Sequence, residues 1–203
     1  MRAESIVFAI AGMCFGVLLG WVIGTQQATK QAVAVAPAQA AQGAEPPPTQ
    51  QRQAPVLDEG RVQSLNTILT SDPKNVKATV ELANVYFDAE RWEDAIQWYQ
   101  KALALDPKNV DANTDLGVSY YYTNRADQAL ERFEVSLAID PKHTKTMLNK
   151  GIVLAFGKQN LDAASVEWKK VVALAPDAPE GQAARRGLEG VAAAHAGQAP
   201  TTP

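Results

Sequence analysis

The chain has 203 residues, of which 46% are hydrophobic and 20% are charged, and its formal net charge is -3. Such a slightly acidic chain lacks the basic field that usually attracts nucleic acid, so nucleic-acid binding is not expected. Cys14 is the single cysteine, which excludes an intrachain disulfide framework and a site built from several thiolates.

An uncharged apolar run covers residues 5–24, after a short flank at residues 1–4. A helix rises about 1.5 Å per residue and the bilayer core is about 30 Å thick, so this run predicts one transmembrane helix. A cleaved signal peptide is the alternative, but its apolar region usually covers only about 7–15 residues. We therefore favour an uncleaved signal anchor.

Glycine recurs at every fourth position inside this apolar run. The four members are Gly12, Gly16, Gly20 and Gly24. This spacing places them on one helix face, where the absence of side chains lets a second membrane helix approach closely. The pattern indicates helix pairing, with another protein or with a second copy of the chain. Glycine is also simply frequent in transmembrane helices, and both interpretations stay open.

Residues 25–55 are rich in alanine, glutamine and proline and contain almost no large apolar side chain. Such a composition cannot form a packed core, so we predict a disordered linker. Its ends would lie roughly 30 Å apart as a flexible coil, which lets the following domain stand clear of the lipid surface.

Asp-Pro pairs recur with a fixed period in the rest of the chain. Asp72-Pro73, Asp106-Pro107 and Asp140-Pro141 follow one another at 34 residues, and Pro176 comes 35 residues after Pro141. The flanking segments also match: LTSDPKNVKA, LALDPKNVDA, LAIDPKHTKT and VALAPDAPEG. A period of about 34 is typical of helix–turn–helix units that stack into a solenoid. It predicts three units, at 76–109, 110–143 and 144–178.

Small residues return at the eighth and twentieth positions of these units, or the eighth and twenty-first in the third unit. The pairs are Ala83 with Ala95, Gly117 with Ala129, and Gly151 with Ala164. Small side chains let the two helices of a hairpin approach closely, while larger ones interlock between neighbouring hairpins. Each unit is therefore expected to be a tight pair of helices, A and B.

These residues resemble the tetratricopeptide repeat (TPR) family, and the resemblance covers residues 76–178 with a half unit before them. It implies an all-α TPR solenoid of three full repeats that binds other proteins. Apolar spacing predicts an N-terminal capping helix at 56–75 and an alanine-rich C-terminal capping helix at 179–196, followed by a disordered tail at 197–203.

The third unit departs from the repeat pattern at two places. Lys150 stands where the pattern has a leucine-like core residue, and we expect its aliphatic stem to extend over the core. The step from Gly151 to Ala164 is one residue longer than the step from Ala83 to Ala95, and we expect the extra residue in the turn between helices. Both departures predict looser packing in this unit.

The family resemblance implies that the A helices line a concave groove. Carried over by position, the partner-binding groove consists of Val80, Asn84, Phe87, Thr114, Val118, Tyr121, Leu148 and Ile152. The set is mixed but partly apolar, which predicts a surface for an extended or helical apolar peptide, with Asn84 available to bond backbone amides. The alternative is that these side chains merely pack between adjacent A helices. Some TPR proteins hold a partner's terminal carboxylate with a lysine and an asparagine, but Val80 occupies that lysine position, so binding of a chaperone tail is not expected.

The sequence shows no catalytic or metal-binding pattern. Neither His143 nor His195 has a second ligand at metal spacing, and there is no glycine-rich phosphate loop or paired nucleophile and base. We predict a non-enzymatic protein with no cofactor, no metal and no small-molecule substrate.

The order of anchor, linker and repeats predicts a membrane-anchored scaffold or adaptor that binds a protein or peptide partner. It resembles single-pass bacterial inner-membrane proteins with a periplasmic TPR domain, which implies a role in envelope assembly, secretion or cytochrome c maturation. The alternative is a self-associating structural membrane protein that forms homo-oligomers through its glycine face. A eukaryotic organelle receptor with a cytosolic solenoid would share the layout with the opposite topology.

Overall fold

The computed structural model describes residues 55–197, and this part of the chain contains eight α-helices. They are α1 (Glu59–Ser71), α2 (Val76–Asp88), α3 (Trp92–Leu105), α4 (Val110–Tyr122), α5 (Ala126–Ile139), α6 (Thr144–Ile152), α7 (Leu161–Leu174) and α8 (Pro179–Gly197). None of the described helices is long and apolar enough to cross a membrane. The predicted transmembrane helix at 5–24, its glycine face, the linker up to residue 54 and the tail after residue 197 lie outside the described residues.

The repeated Asp-Pro-Lys-Asn motif forms the link between successive hairpins. The Asp72 carboxylate accepts a hydrogen bond from the backbone N–H of Lys74 at 3.3 Å, and the Asn75 side chain caps the first turn of α2. Asp106 and Asn109 make the same two bonds before α4. Because a proline cannot continue the preceding helix and an asparagine satisfies the N–H groups of the next one, the motif both ends and starts a helix.

The turn inside each hairpin places one residue in the left-handed region of backbone conformation. These residues are Glu90 (φ 55°), Asn124 (φ 61°) and Gln159 (φ 54°). The turn is thus kept in the third unit, and our prediction that it holds the extra residue was wrong. A π-helical segment, Val153–Gly157, continues α6 instead. A π turn accommodates one more residue within a helix, so the loop that follows needs no change.

Close contact inside the hairpins depends on glycine beneath an aromatic ring. A Cβ atom at Gly117 would lie 2.5 Å from the Phe133 ring, and one at Gly151 would overlap the indole of Trp168. Phe133 is fully buried and Trp168 is 3% exposed, so neither ring has free space to move into. The small residues at the eighth position therefore let the A and B helices approach each other, as the sequence predicted.

Lys150 is held in the core by two carboxylates. Its Nζ atom lies 2.7 Å from Glu134 Oε1 on α5 and 2.9 Å from Glu167 Oε1 on α7. Burial disfavours the charged form of Lys150, but the hydrogen bonds that its ammonium donates to these carboxylates, together with their charges, outweigh burial and raise its pKa. Burial likewise opposes the charged form of Glu167, yet Lys150 and Lys170 lower its pKa. An ion pair thus occupies the place of an apolar core residue in this hairpin.

We predict that Gly151→Ala lowers the free energy of unfolding by about 1–3 kcal/mol, because the added methyl group would meet the buried Trp168 indole. The matched control is Gly190→Ala in α8, whose Cβ would have no atom within 4 Å. This change should stabilise the protein slightly, since alanine favours a helix over glycine by about 1 kcal/mol. Chemical denaturation followed by circular dichroism measures both, and equal effects at the two positions would contradict the close contact.

Candidate partner-binding cleft

A cleft of about 360 Å³ opens between the A helices α2, α4 and α6. Its lining residues are Asn84, Phe87 and Asp88 from α2, Tyr99 from α3, Asp115 and Val118 from α4, and Lys145 and Asn149 from α6. Asn84 lies three and four positions before Phe87 and Asp88 on α2, Asp115 and Val118 are three apart on α4, and Lys145 and Asn149 are four apart on α6, so each helix presents one face to the cleft. Of the predicted groove residues, the structure brings Asn84, Phe87 and Val118 together in this cleft.

The floor of the cleft is formed by the hydroxyl group of Tyr99, whose ring lies in the core. Tyr99 is 1% exposed, and its hydroxyl donates a hydrogen bond to Asn84 Oδ1 at 2.7 Å. Burial, followed by the charges of Asp115, Asp88 and Asp111, raises the pKa of Tyr99. The phenol therefore stays protonated at neutral pH and holds the Asn84 amide in one orientation.

An ion pair joins α4 and α6 at the other side of the cleft. Lys145 Nζ lies 2.7 Å from Asp115 Oδ1, and the Asp115 side chain is 13% exposed while that of Lys145 is 44% exposed. Burial raises the pKa of the Asp115 carboxyl, although the nearby Lys145 ammonium opposes this change. Sequence reasoning did not select Asp115, because nothing in the repeat pattern marks its position in the unit.

An aromatic cluster of Phe87, Trp92, Tyr99, Tyr121 and Tyr122 extends from one end of the cleft. The Phe87 ring meets Trp92 edge to face at 5.0 Å between centroids, and Trp92 stacks on Tyr122 at 4.3 Å. Tyr121 lies 5.7 Å from Tyr122 between ring centroids. The predicted residue Tyr121 thus belongs to this cluster, not to the lining of the cleft. Such ring pairs hold each other in defined orientations.

Three other predicted groove residues lie away from the cleft lining. Val80 is half-buried against the core cluster that contains Tyr99 and Phe133. Leu148 and Ile152 are half-buried against the next cluster, around Trp168. These three side chains thus pack against the core, as Phe87 and Val118 also do, and lie outside the lining of this cleft.

Thr114 was wrongly predicted to line the groove, because it is fully buried. Its hydroxyl lies 2.9 Å from that of Ser136 on α5 and 2.6 Å from that of Thr146 on α6. The ring atom His143 Nδ1 is 2.6 Å from the Thr146 hydroxyl. We call Thr114, Ser136 and Thr146 the hydroxyl cluster. Each hydroxyl finds its partners inside the protein, so the cluster joins the second hairpin to the third and faces no ligand.

Comparison with known proteins supports a TPR fold. Residues 83–124 match the family described as TPR repeat. The structure is similar to the crystal structure of MamA, with a TM-score of 0.58 and 22% identity over 65% of this chain and 77% of that one.

Two further solved structures are similar to this chain. The first TPR of Spaghetti (RPAP3), solved with the HSP90 peptide SRMEEVD, gives a TM-score of 0.55 and 25% identity over 62% of this chain and 96% of that one. The Sgt2 TPR domain from Aspergillus fumigatus gives a TM-score of 0.56 and 21% identity over 63% of this chain and 86% of that one. None of the curated proteins matches the chain in sequence. The predicted all-α TPR-like solenoid is confirmed for the described helices.

We predict that Thr114→Val lowers the free energy of unfolding by about 1–3 kcal/mol, because Ser136 and Thr146 lose a buried hydrogen-bond partner. Replacing all three hydroxyls, as Thr114→Val with Ser136→Ala and Thr146→Val, should cost less than the sum of the single changes, since no polar group of the cluster is then left without a partner. Urea denaturation measures each variant. Additive losses would contradict a cooperative cluster.

Proposed function

We propose that this protein is a membrane-anchored adaptor that holds a peptide segment of a partner protein in the cleft between α2, α4 and α6. The observation that carries the proposal is that three successive A helices contribute side chains to one open cleft. A TPR domain that is 25% identical to this chain was solved with a bound peptide, which supports the same use of the fold here.

The chemistry of the lining suits an extended peptide. Phe87 and Val118 offer apolar surface for its side chains, while Asn84 and Asn149 carry amides that can bond to its backbone. The Tyr99 hydroxyl already holds Asn84 in place, so little ordering of this amide is required on binding. Rigid apolar surface with a few polar groups is the usual composition of a recognition site.

The proposed location is the bacterial inner membrane, with residues 5–24 as a single-pass anchor and the cleft in the periplasm. The uncharged apolar run supports the anchor because its length matches the bilayer core. The partner would be a component of envelope assembly, secretion or cytochrome c maturation, as the resemblance in layout implies. The second candidate function is self-association through the glycine face. It is supported by the recurrence of glycine at every fourth position, at Gly12, Gly16, Gly20 and Gly24.

We predict that Val118→Lys strongly reduces partner capture, because a long charged side chain would enter the cleft where Val118 now offers apolar surface. The matched control is Val166→Lys, on α7 outside the cleft lining, where the valine is 54% exposed. Chemical crosslinking with mass spectrometry of the full-length chain in its native membranes measures capture. Circular dichroism checks that both variants keep their helices. Equal capture by the two variants would show that the cleft is not the binding site.

We predict that the full chain stays in the membrane fraction after an alkaline carbonate wash, whereas a chain lacking residues 2–24 is released. The reason is that only the uncharged run at 5–24 is long enough to span the bilayer core.

The proposed topology gives a separate prediction. A tag at the C-terminus of the full chain should be digested when protease is added to spheroplasts. Release of both chains, or a mature N-terminus after residue 24, would contradict the anchor, and a protected tag would contradict the periplasmic cleft.

A further inference from the structure

The lining of the cleft carries an excess of negative charge. Asp88 and Asp115 supply carboxylates, and Lys145 supplies the one ammonium among the eight lining residues. Lys145 Nζ is paired with Asp115 Oδ1 at 2.7 Å, so its positive charge is already balanced. The charge of the exposed Asp88 has no counterpart within the lining. A ligand that enters this cleft therefore meets a negative potential.

A second, adjoining cleft continues this negative surface toward α1. It has a volume of about 280 Å³ and shares Asn84 and Asp88 with the first. Its charged lining residues are Asp58, Arg61, Glu81 and Asp88. The guanidinium of Arg61 pairs with Glu81, which leaves Asp58 and Asp88 as the unbalanced carboxylates of this lining. We call Asp58, Asp88 and Asp115 the acidic track; Asp58 caps the start of α1, Asp88 lies on α2 and Asp115 lies on α4.

Two carboxylates of the acidic track, Asp88 and Asp115, also act on the buried floor of the first cleft. After burial, the carboxylates of Asp115, Asp88 and Asp111 are the causes that raise the pKa of Tyr99. Their fields therefore add at the Tyr99 hydroxyl instead of cancelling. Because Lys145 balances Asp115, Asp88 is the carboxylate of the lining that would attract a cation placed near that hydroxyl, in a site where partial burial weakens screening by water.

We propose that the occupant of the cleft is a peptide segment in which lysine or arginine alternates with apolar residues. This inference rests on the proposed function and adds the chemistry of the partner. A basic side chain would lie against Asp88 and the Phe87 ring, where charge attraction and a cation–π contact act together. The neighbouring apolar side chain would lie on Val118, and a second basic group would reach Asp58.

Charge also argues against the opposite class of ligand. The HSP90 peptide held by the TPR domain of Spaghetti has the sequence SRMEEVD, whose C-terminal half is acidic. In this chain such a segment would bring carboxylates next to Asp88 and Asp115, and like charges in contact disfavour binding. The negative charge of the cleft in this chain therefore disfavours an acidic peptide of this kind.

The test is a selection of random twelve-residue peptides displayed on phage. The target is the full-length protein in nanodiscs of phosphatidylcholine, a lipid without net charge, and empty nanodiscs remove peptides that bind lipid. Wild type is compared with Asp88→Asn/Asp115→Asn. The charge-matched control is Asp127→Asn/Asp162→Asn, whose side chains are 84% and 92% exposed and lie outside both cleft linings. Circular dichroism checks that every variant keeps its helices.

We expect wild type and the charge-matched control to enrich lysine and arginine next to apolar residues. The best enriched peptide should lose about tenfold in affinity for Asp88→Asn/Asp115→Asn, the size of two partly exposed charge pairs. Its affinity should also fall as salt is raised. The cleft variant, with Lys145 no longer balanced by Asp115, should enrich acidic peptides instead.

Three outcomes would overturn the inference, and they differ in what they say about the proposed function. The Val118→Lys variant serves as a second target in the selection. If wild type enriches no peptide more strongly than this variant does, the cleft does not bind peptides, and the proposed function and the charge preference are both wrong. If peptides are enriched without lysine and arginine, or with aspartate and glutamate, the cleft binds peptides but not this class. If the cleft variant enriches basic peptides as well as wild type does, the acidic track does not select them.

Discussion

The contact between a small residue on helix A and an aromatic ring on helix B determines the geometry of each hairpin. Gly117 lies under Phe133, and Gly151 lies under Trp168, with no room for a methyl group at either glycine. The first hairpin has Ala83 and Tyr99 at the corresponding positions, both buried. Because these contacts set the distance between the two helices, they also determine the position of each A helix and of the side chains on its outer face.

Tyr99 connects this core to the cleft. Its ring fills the hairpin, and its hydroxyl reaches the cleft floor, where it bonds to Asn84. A phenylalanine would keep the packing and lose the bond, whereas a smaller residue would lose both. The site is therefore built on a core side chain, which positions Asn84 more firmly than a loop could. Packing of the hairpin and orientation of the Asn84 amide therefore depend on one residue here.

Sequence reasoning located the hairpins but only part of the cleft. The period of the Asp-Pro pairs follows from local turn chemistry, which repeats wherever the same residues do, so it could be read directly. Asn84 and Thr114 were both predicted to line the groove, yet Asn84 is exposed and Thr114 is buried. The difference arises because Ser136 and Thr146 cover Thr114, and a position within one unit carries no information about its neighbours. Asp115 was missed because its significance comes from Lys145, in the next unit.

The third hairpin shows how the fold absorbs its departures without disturbing the cleft. The extra residue is taken up in Val153–Gly157, which follows Lys145 and Asn149 along the chain, so the part of α6 that lines the cleft keeps regular helical spacing. The partners of Lys150 come from α5 and α7, the B helices, and neither Glu134 nor Glu167 lines the cleft. Both departures are thus accommodated by residues outside the lining. Changes at the end of α6 should therefore affect the stability of the hairpin before they affect what the cleft binds.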